Sequence, residues 1–322
     1  MNRFLVLAVI ILIPIAIMTT PEEESDTVLK ENGVENISLE LKASNEEVKV
    51  EEAEESYQVM LSDNKDKSDP FTMDLEDYVI GVVAGEMPAS FQVEALKAQA
   101  VASRTFAMYK MGSLSDYVLS TTVSDQVYLT IDDMKNKWGS DFEYYYNRVK
   151  EAAESTKGEV LTYQGDLAVT YYFAISNGYT DDALTVFNEN KSYLVSVESP
   201  WDKNYKSYTS TYTLDKNKFC TKLGITCDYI EITNVIRADN HYVRQITING
   251  TTFTGLEFFN KLNLKSTDFT ITQNGDSISI VTLGFGHGVG MSQYGAQGMA
   301  SNGYTYEEIL KHYYQDTEIG KL

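Results

Sequence analysis

The sequence is poor in the residues that build metal centres and disulfide frameworks. It holds 2 cysteines, Cys220 and Cys227, and 3 histidines, His241, His287 and His312. Their positions form no zinc-ligand pattern, so no metal and no cofactor is expected. The two cysteines leave two readings open, a local disulfide of an exported protein or a pair of free thiols. Positive charge is also scarce. Against 47 Asp and Glu stand 26 Lys and Arg, for a net charge of −21. Nucleic acid is excluded as a partner, because that binding rests on cations displacing counterions from phosphates. A neutral polymer such as a glycan is not excluded. No Gly-Lys-Ser/Thr follows a glycine run, and no Gly-x-Ser-x-Gly occurs, so a phosphate loop and a nucleophile elbow are both absent. There are no internal repeats.

One long apolar run is present, residues 4–18, preceded by Arg3 and broken only by Pro14. Its length and its basic N-terminal flank predict a signal anchor over residues 1–20, with a cytoplasmic N-terminus, the uncleaved form preferred and a cleaved signal the alternative. The rest of the chain is then extracytoplasmic. Residues 21–70 carry 16 Asp/Glu against 5 Lys and almost no aromatics. Such a segment cannot bury enough apolar surface to offset chain entropy, so it reads as a disordered acidic linker, with a stretch around 48–61 able to pack at the domain edge.

Residues 71–322 read as one α+β body, helices first and antiparallel strands later. Asp74 is a good N-cap, and Leu75, Tyr78, Val79, Val82 and Val83 follow the spacing of one buried helical face. Extending that face reaches Glu86, after which Pro88 forces a turn. An Ala-rich helix is predicted over 92–111 with a stop at Gly112, and another over 141–155. Residues 159–163 and 167–176 read as a hairpin, and Asn249-Gly250 and Asn274-Gly275 mark two more. Residues 277–283 read as a strand, followed by an alternating-glycine loop and two short helices.

Three features carry chemistry. A carboxylate at Glu86 on an apolar stripe is costly to ionise, so its pKa should rise, as a general acid requires. Periodicity equally allows the helix to end earlier and leave Glu86 solvated. His287, centred in Gly284-Phe285-Gly286-His287-Gly288-Val289-Gly290, is either a donor to substrate or a structural histidine bonded to loop carbonyls. Gln293 and Tyr294 follow it, able to bond sugars or to cap a turn. Ser176-Asn177-Gly178-Tyr179 closes a strand with groups that bond hydroxyls and amides, of a substrate or of the protein itself, and such a turn is more often structural than functional.

Together with Glu94-Ala95-Leu96-Lys97-Ala98-Gln99-Ala100-Val101-Ala102-Ser103-Arg104-Thr105-Phe106 and Ser199-Pro200-Trp201-Asp202, these segments resemble the stage II sporulation protein D family, also described as the sporulation/amidase-enhancer domain. The resemblance runs from about residue 71 to the C-terminus. It implies a lytic transglycosylase that cleaves the MurNAc-GlcNAc β-1,4 bond of peptide-denuded peptidoglycan during forespore engulfment. It also implies a single-pass membrane protein facing the space between mother cell and forespore, with a cell-wall amidase and other membrane proteins as partners. Glu86 matches the family's catalytic glutamate, and Lys97 and Arg104 match its basic residues. The expected groove comprises Lys97, Arg104, Ser176, Asn177, Tyr179, Trp201, His287, Gln293 and Tyr294. Some relatives hold a structural zinc after the second helix, but residues 119–128 here contain neither Cys nor His. Other readings stay open: a non-catalytic activator of an amidase, a structural part of a transenvelope assembly, and a hydrolase that adds water.

Overall fold

The computed structural model describes residues 56–322 except 65, 114 and 115. The expected anchor and most of the expected linker lie outside the described residues. Among the described residues no helix is long and apolar enough to cross a membrane.

The chain is α+β and its apolar side chains collect in two cores. The first begins inside the expected linker. Strand β1 (Gln58–Ser62) pairs antiparallel with β2 (Phe71–Asp74), and Val59 and Leu61 on it are fully buried. Folded structure thus starts before residue 71. Helix α1 (Leu75–Glu86) is capped by Asp74, whose carboxylate accepts the N–H groups of Glu76 and Asp77. From Tyr78 to Ala84 every residue of α1 is buried. The helix is therefore covered nearly all round, where the sequence pattern indicated one face.

Helix α2 (Val93–Ser113) runs through Gly112. That glycine is absent from the residues with positive φ, so it continues the helix and does not act as the expected stop. Strand β3 (Leu119–Ser120) adds to β1 in parallel. Helix α3 (Ile131–Trp138) was not anticipated, since Met134 is its one buried residue; it precedes α4 (Phe142–Ser155). Strands β4 (Glu159–Tyr163) and β5 (Asp166–Leu167) make the expected hairpin, but it ends at Leu167. Residues Tyr172–Phe173 form a separate strand, β6. After α5 (Ala183–Phe187) the chain enters the second core.

There, β7 (Thr209–Asp215) and α6 (Lys216–Leu223) are followed by β8 (Ile232–Arg237), β9 (Val243–Ile248) and β10 (Thr251–Thr254). Helix α7 (Gly255–Leu262) and strands β11 (Phe269–Asn274) and β12 (Ser277–Leu283) complete it. Two antiparallel three-stranded sheets, ordered β10-β9-β8 and β11-β12-β7, enclose Phe219, Phe258, Ile246 and Ile280. Asn249 and Gly250 both take positive φ, as a two-residue hairpin of the primed type needs. At the other hairpin Asn274 pairs with Ser277, so the turn is Gly275-Asp276. Cys220 and Cys227 are disulfide-bonded, which resolves the two readings of these thiols.

The chain then returns to the first core. Strand β13 (Met291–Ser292) pairs in parallel with β6. Helices α8 (Gln293–Ser301) and α9 (Tyr306–Tyr313) follow, and β14 (Glu318–Lys321) closes on β4. The β6–β13 pairing matters most for function, because it brings a segment near residue 290 against one near residue 172, beside the end of α1.

Candidate functional site

Glu86 is the last residue of α1. The residue is half-buried. Burial pushes its pKa up to about 7, against opposing influences from the Val127 N–H, Tyr172, Gln293 and Lys137. A carboxyl group near pH 7 can both give and take a proton. The geometry also separates the two carboxylate oxygens. Oε1 accepts a 2.6 Å hydrogen bond from the Val127 N–H. A backbone donor fixed on Oε1 keeps that atom an acceptor, so in the acid form the proton resides on Oε2.

The Val127 donor is held there by two glycines. Gly81 and Gly85, one turn apart on α1, leave room for residues 126–129 to lie along the helix. A Cβ at Gly85 would stand 2.3 Å from the Val127 carbonyl oxygen, and one at Gly81 would stand 2.1 Å from the Tyr128 ring. The Leu129 N–H donates to the Gly81 carbonyl at 3.1 Å. From the other side Asp125, almost entirely buried, accepts bonds from the Ser120 N–H, the Tyr117 hydroxyl and the Lys67 ammonium. With no thiol or imidazole the segment does not fit a zinc site, and this carboxylate knot ties it in place.

Around Glu86 runs a closed set of polar contacts. The Tyr78 hydroxyl donates to Gln126 Oε1 at 3.0 Å, and Gln126 Nε2 donates to the Tyr172 hydroxyl at 3.0 Å. Gln293 Nε2 donates to the Glu86 carbonyl at 3.1 Å and to Gln99 Oε1 at 3.3 Å. Gln99 in turn bonds Ser103. Tyr78, Gln99, Gln126 and Tyr172 were not anticipated, being unremarkable members of apolar or Tyr-rich stretches. Such a network, with its members satisfied, fixes the carboxyl group in one orientation.

His287 acts through Tyr172. Its Nδ1 accepts from the Val289 N–H at 3.1 Å, so Nε2 carries the proton and donates to the Tyr172 carbonyl at 3.0 Å. Burial lowers its pKa to about 4, so the ring is neutral at physiological pH. Both ring nitrogens are thus engaged by backbone groups of the protein. Tyr294, next to Gln293, packs edge-on against Phe91 and Tyr205 at 5.0 and 4.6 Å between ring centroids. Tyr294 and Tyr205 are half-buried, and Phe91 is buried.

The other expected groove residues have the following protein contacts. Arg104 is completely buried. Its Nε lies 2.8 Å from Glu76 Oε1, its second terminal nitrogen bonds Glu76 Oε2, and it also donates to the Glu159 and Ala153 carbonyls. It joins α1, α2, α4 and β4. Lys97 pairs with Glu94 at 2.8 Å, whose other oxygen accepts the Tyr306 N–H at the start of α9. Ser176 and Asn177 are buried. Asn177 bonds the Asn240 carbonyl and Asp268, joining the two cores. Tyr179 packs on His241 and accepts from the Tyr242 hydroxyl through its carbonyl. Trp201 lies against Gly298, Tyr304 and His312, further along α8.

Ser176 belongs to a second buried unit. Asp202 Oδ1 accepts the Ser176 N–H and the Ser292 hydroxyl, and Oδ2 accepts the Ser176 and Ser199 hydroxyls. Burial raises its pKa and these four bonds oppose the rise. Ser292 is also the N-cap of α8, so Asp202 sets the start of the helix that presents Gln293. Asp202→Ala is expected to cost about 2–4 kcal/mol in urea unfolding, because buried serine hydroxyls lose their acceptor. A change under 0.5 kcal/mol, within the ~0.5 kcal/mol of an ordinary surface substitution, would contradict that role.

Comparison with known proteins matches the sequence to a family. A family model described as Stage II sporulation protein matches residues 64–163. The chain is 43% identical over 255 residues to Stage II sporulation protein D of Bacillus subtilis (strain 168), covering 77% of this chain and 74% of that protein. It is 42% identical over 259 residues to the protein of the same name from Bacillus amyloliquefaciens, with the same coverage. It is 29% identical over 295 residues to the Amidase enhancer of Bacillus subtilis (strain 168), covering 74% of this chain and 40% of that protein.

Proposed function

The chain belongs to the stage II sporulation protein D family, and on that premise we propose that it is a peptidoglycan lytic transglycosylase acting on peptide-denuded glycan strands during forespore engulfment. The observation that carries the reading is the Glu86 carboxyl group, pushed to about pH 7 and held at Oε1 by the Val127 N–H. Protonated Oε2 donates to the glycosidic oxygen between MurNAc and GlcNAc. The C1–O bond breaks and C1 takes on oxocarbenium character. The C6 hydroxyl of the same sugar closes on C1, and its proton returns to Glu86. The products are a 1,6-anhydro end and a free C4 hydroxyl, with the enzyme regenerated. Because the substrate supplies its own nucleophile, the second carboxylate of ordinary glycosidases is not required. The half-buried, edge-packed rings of Tyr294 and Tyr205 are the surface offered to sugars.

The proposal extends to location. Residues 1–20 anchor the chain in the membrane, and the body lies outside the cytoplasm with a cell-wall amidase as partner. The Cys220–Cys227 disulfide supports an oxidising compartment. A second reading, a glycan-binding activator of an amidase, is favoured by the name of the Amidase enhancer relative. Digestion of amidase-treated strands, analysed by mass spectrometry, tests both. Anhydro ends released without added amidase activity are expected. Reducing ends would point to a hydrolase, and bound but intact strands would favour the activator.

A further inference from the structure

The body is acidic, yet among the described residues one cation stands near Glu86, whose carboxylate it acts on, without an ion pair. Lys137 projects from α3, and its ammonium donates at 2.9 Å to the Ala84 carbonyl, two residues before Glu86. The residue is exposed while its charged end is tucked against the last turn of α1. A lysine has three N–H donors, and the described residues occupy one. Among the described residues no carboxylate lies within ion-pair distance of it. Its neighbours on α3 are committed, Asp132 to Lys135 and Asp133 to the Thr130 cap.

The other cations of this region are spent. Lys97 pairs with Glu94, and Arg104 is enclosed with Glu76. Arg148 uses its guanidinium on the Ala89 and Phe91 carbonyls, fixing the loop that carries Phe91. Among the described residues named here, Lys137 is the one with donors to offer an anion next to the acid.

Resting on the lyase reading above, we infer that Lys137 is a specificity residue that binds the free lactyl carboxylate of the muramic sugar at the bond being cut. The lactyl ether sits on C3 of that sugar, two ring carbons from the C1 that Glu86 acts upon. Without a stem peptide it ends in a carboxylate, and with one it ends in a neutral amide. A local cation that ion-pairs with the former and not the latter selects denuded strands. It also offsets the repulsion between an anionic polymer and a chain of net charge −21. An ammonium suits this task, being a compact charge on a flexible stem.

The test measures binding of full-length Glu86→Gln protein, which cannot consume its ligand, with and without Lys137→Gln or Lys137→Arg. Three probes are used: denuded strands with free lactyl carboxylates, the same strands amidated with ammonia by carbodiimide, and N-acetylglucosamine oligomers. Circular dichroism checks folding. The Lys137 parent is expected to favour the carboxylate strands over the amidated ones at least tenfold, with the preference falling as salt rises. Lys137→Gln should reduce the preference to about twofold or less, and Lys137→Arg should restore part of it. A parent without preference, or a Gln variant that keeps it, overturns the inference. Preference without anhydro products from wild type would sink the lyase reading and leave this one standing. Equal cleavage of free and amidated strands would do the reverse.

Discussion

Replacing Glu86 by glutamine is expected to abolish cleavage and, at alkaline pH, to stabilise the protein. Both effects come from one side chain. The amide keeps the carboxyl group's size, and its oxygen can accept the Val127 N–H bond that Oε1 accepts now. It has no proton to transfer in either direction. General acid–base catalysis is worth roughly 10²–10⁴ in rate, and here one group serves both half-steps, so the loss should lie at the upper end. The stability effect follows from linkage. Glu86 titrates near 4.5 in an unfolded chain and at about 7 in the folded one. Below 4.5 both states hold the proton and nothing is lost. Between those values the unfolded state releases it and the folded state does not, so stability falls as pH rises, and above 7 the full penalty remains. The ceiling is about 3 kcal/mol, at ~1.4 kcal/mol per unit. Urea unfolding of wild type and variant should therefore coincide near pH 4 and diverge by pH 8, with the variant more stable. Normal anhydro-product yield, or a stability difference indifferent to pH, would remove Glu86 from its role.

The helical period that ends on Glu86 is a short-range signal, and it was legible in the sequence. So were the Asp74 cap, the first half of the 159–167 hairpin and the Asn249-Gly250 turn, each set by neighbours a few residues away. What surrounds Glu86 was not. Val127 reaches it across 41 residues and Gln293 across 207. Only the second of these was in the sequence reading, through a family motif. Helix α3 escaped notice because a helix with one buried residue leaves no apolar stripe, and Lys137 escaped with it. Arg104 misled for the opposite reason. A cation in an Ala-rich helix looks available until its partner, Glu76, is found 28 residues upstream. Ser176 and Asn177 misled likewise: a polar turn signals hydrogen bonding but not whether its partners are substrate or protein. The abundance of Tyr, 23 in all, hid Tyr172 and Tyr205 among residues that merely fill strands.

Gly85→Ala should strip the site of its backbone donor, although on helix propensity alone it is a favourable change. Gly85 lies in the last turn of α1 with no positive φ, and alanine in a helix is better than glycine by about 1 kcal/mol. The added methyl, however, meets the Val127 carbonyl at 2.3 Å and its carbon at 2.9 Å. These are backbone atoms, so no rotamer change relieves the clash. The segment must move off the helix, and the Val127 N–H moves with it. Overpacking of this kind costs about 1–3 kcal/mol, and a shift of about 1 Å at a catalytic group costs on the order of 10²-fold in rate. We expect net destabilisation, with cleavage reduced about a hundredfold. Gly112→Ala separates propensity from contact, since Gly112 is helical and exposed and an added methyl meets nothing within 4 Å. That variant should be neutral or slightly more stable and fully active. If Gly85→Ala behaved the same way, the segment 126–129 would not be what holds the Glu86 proton on one oxygen.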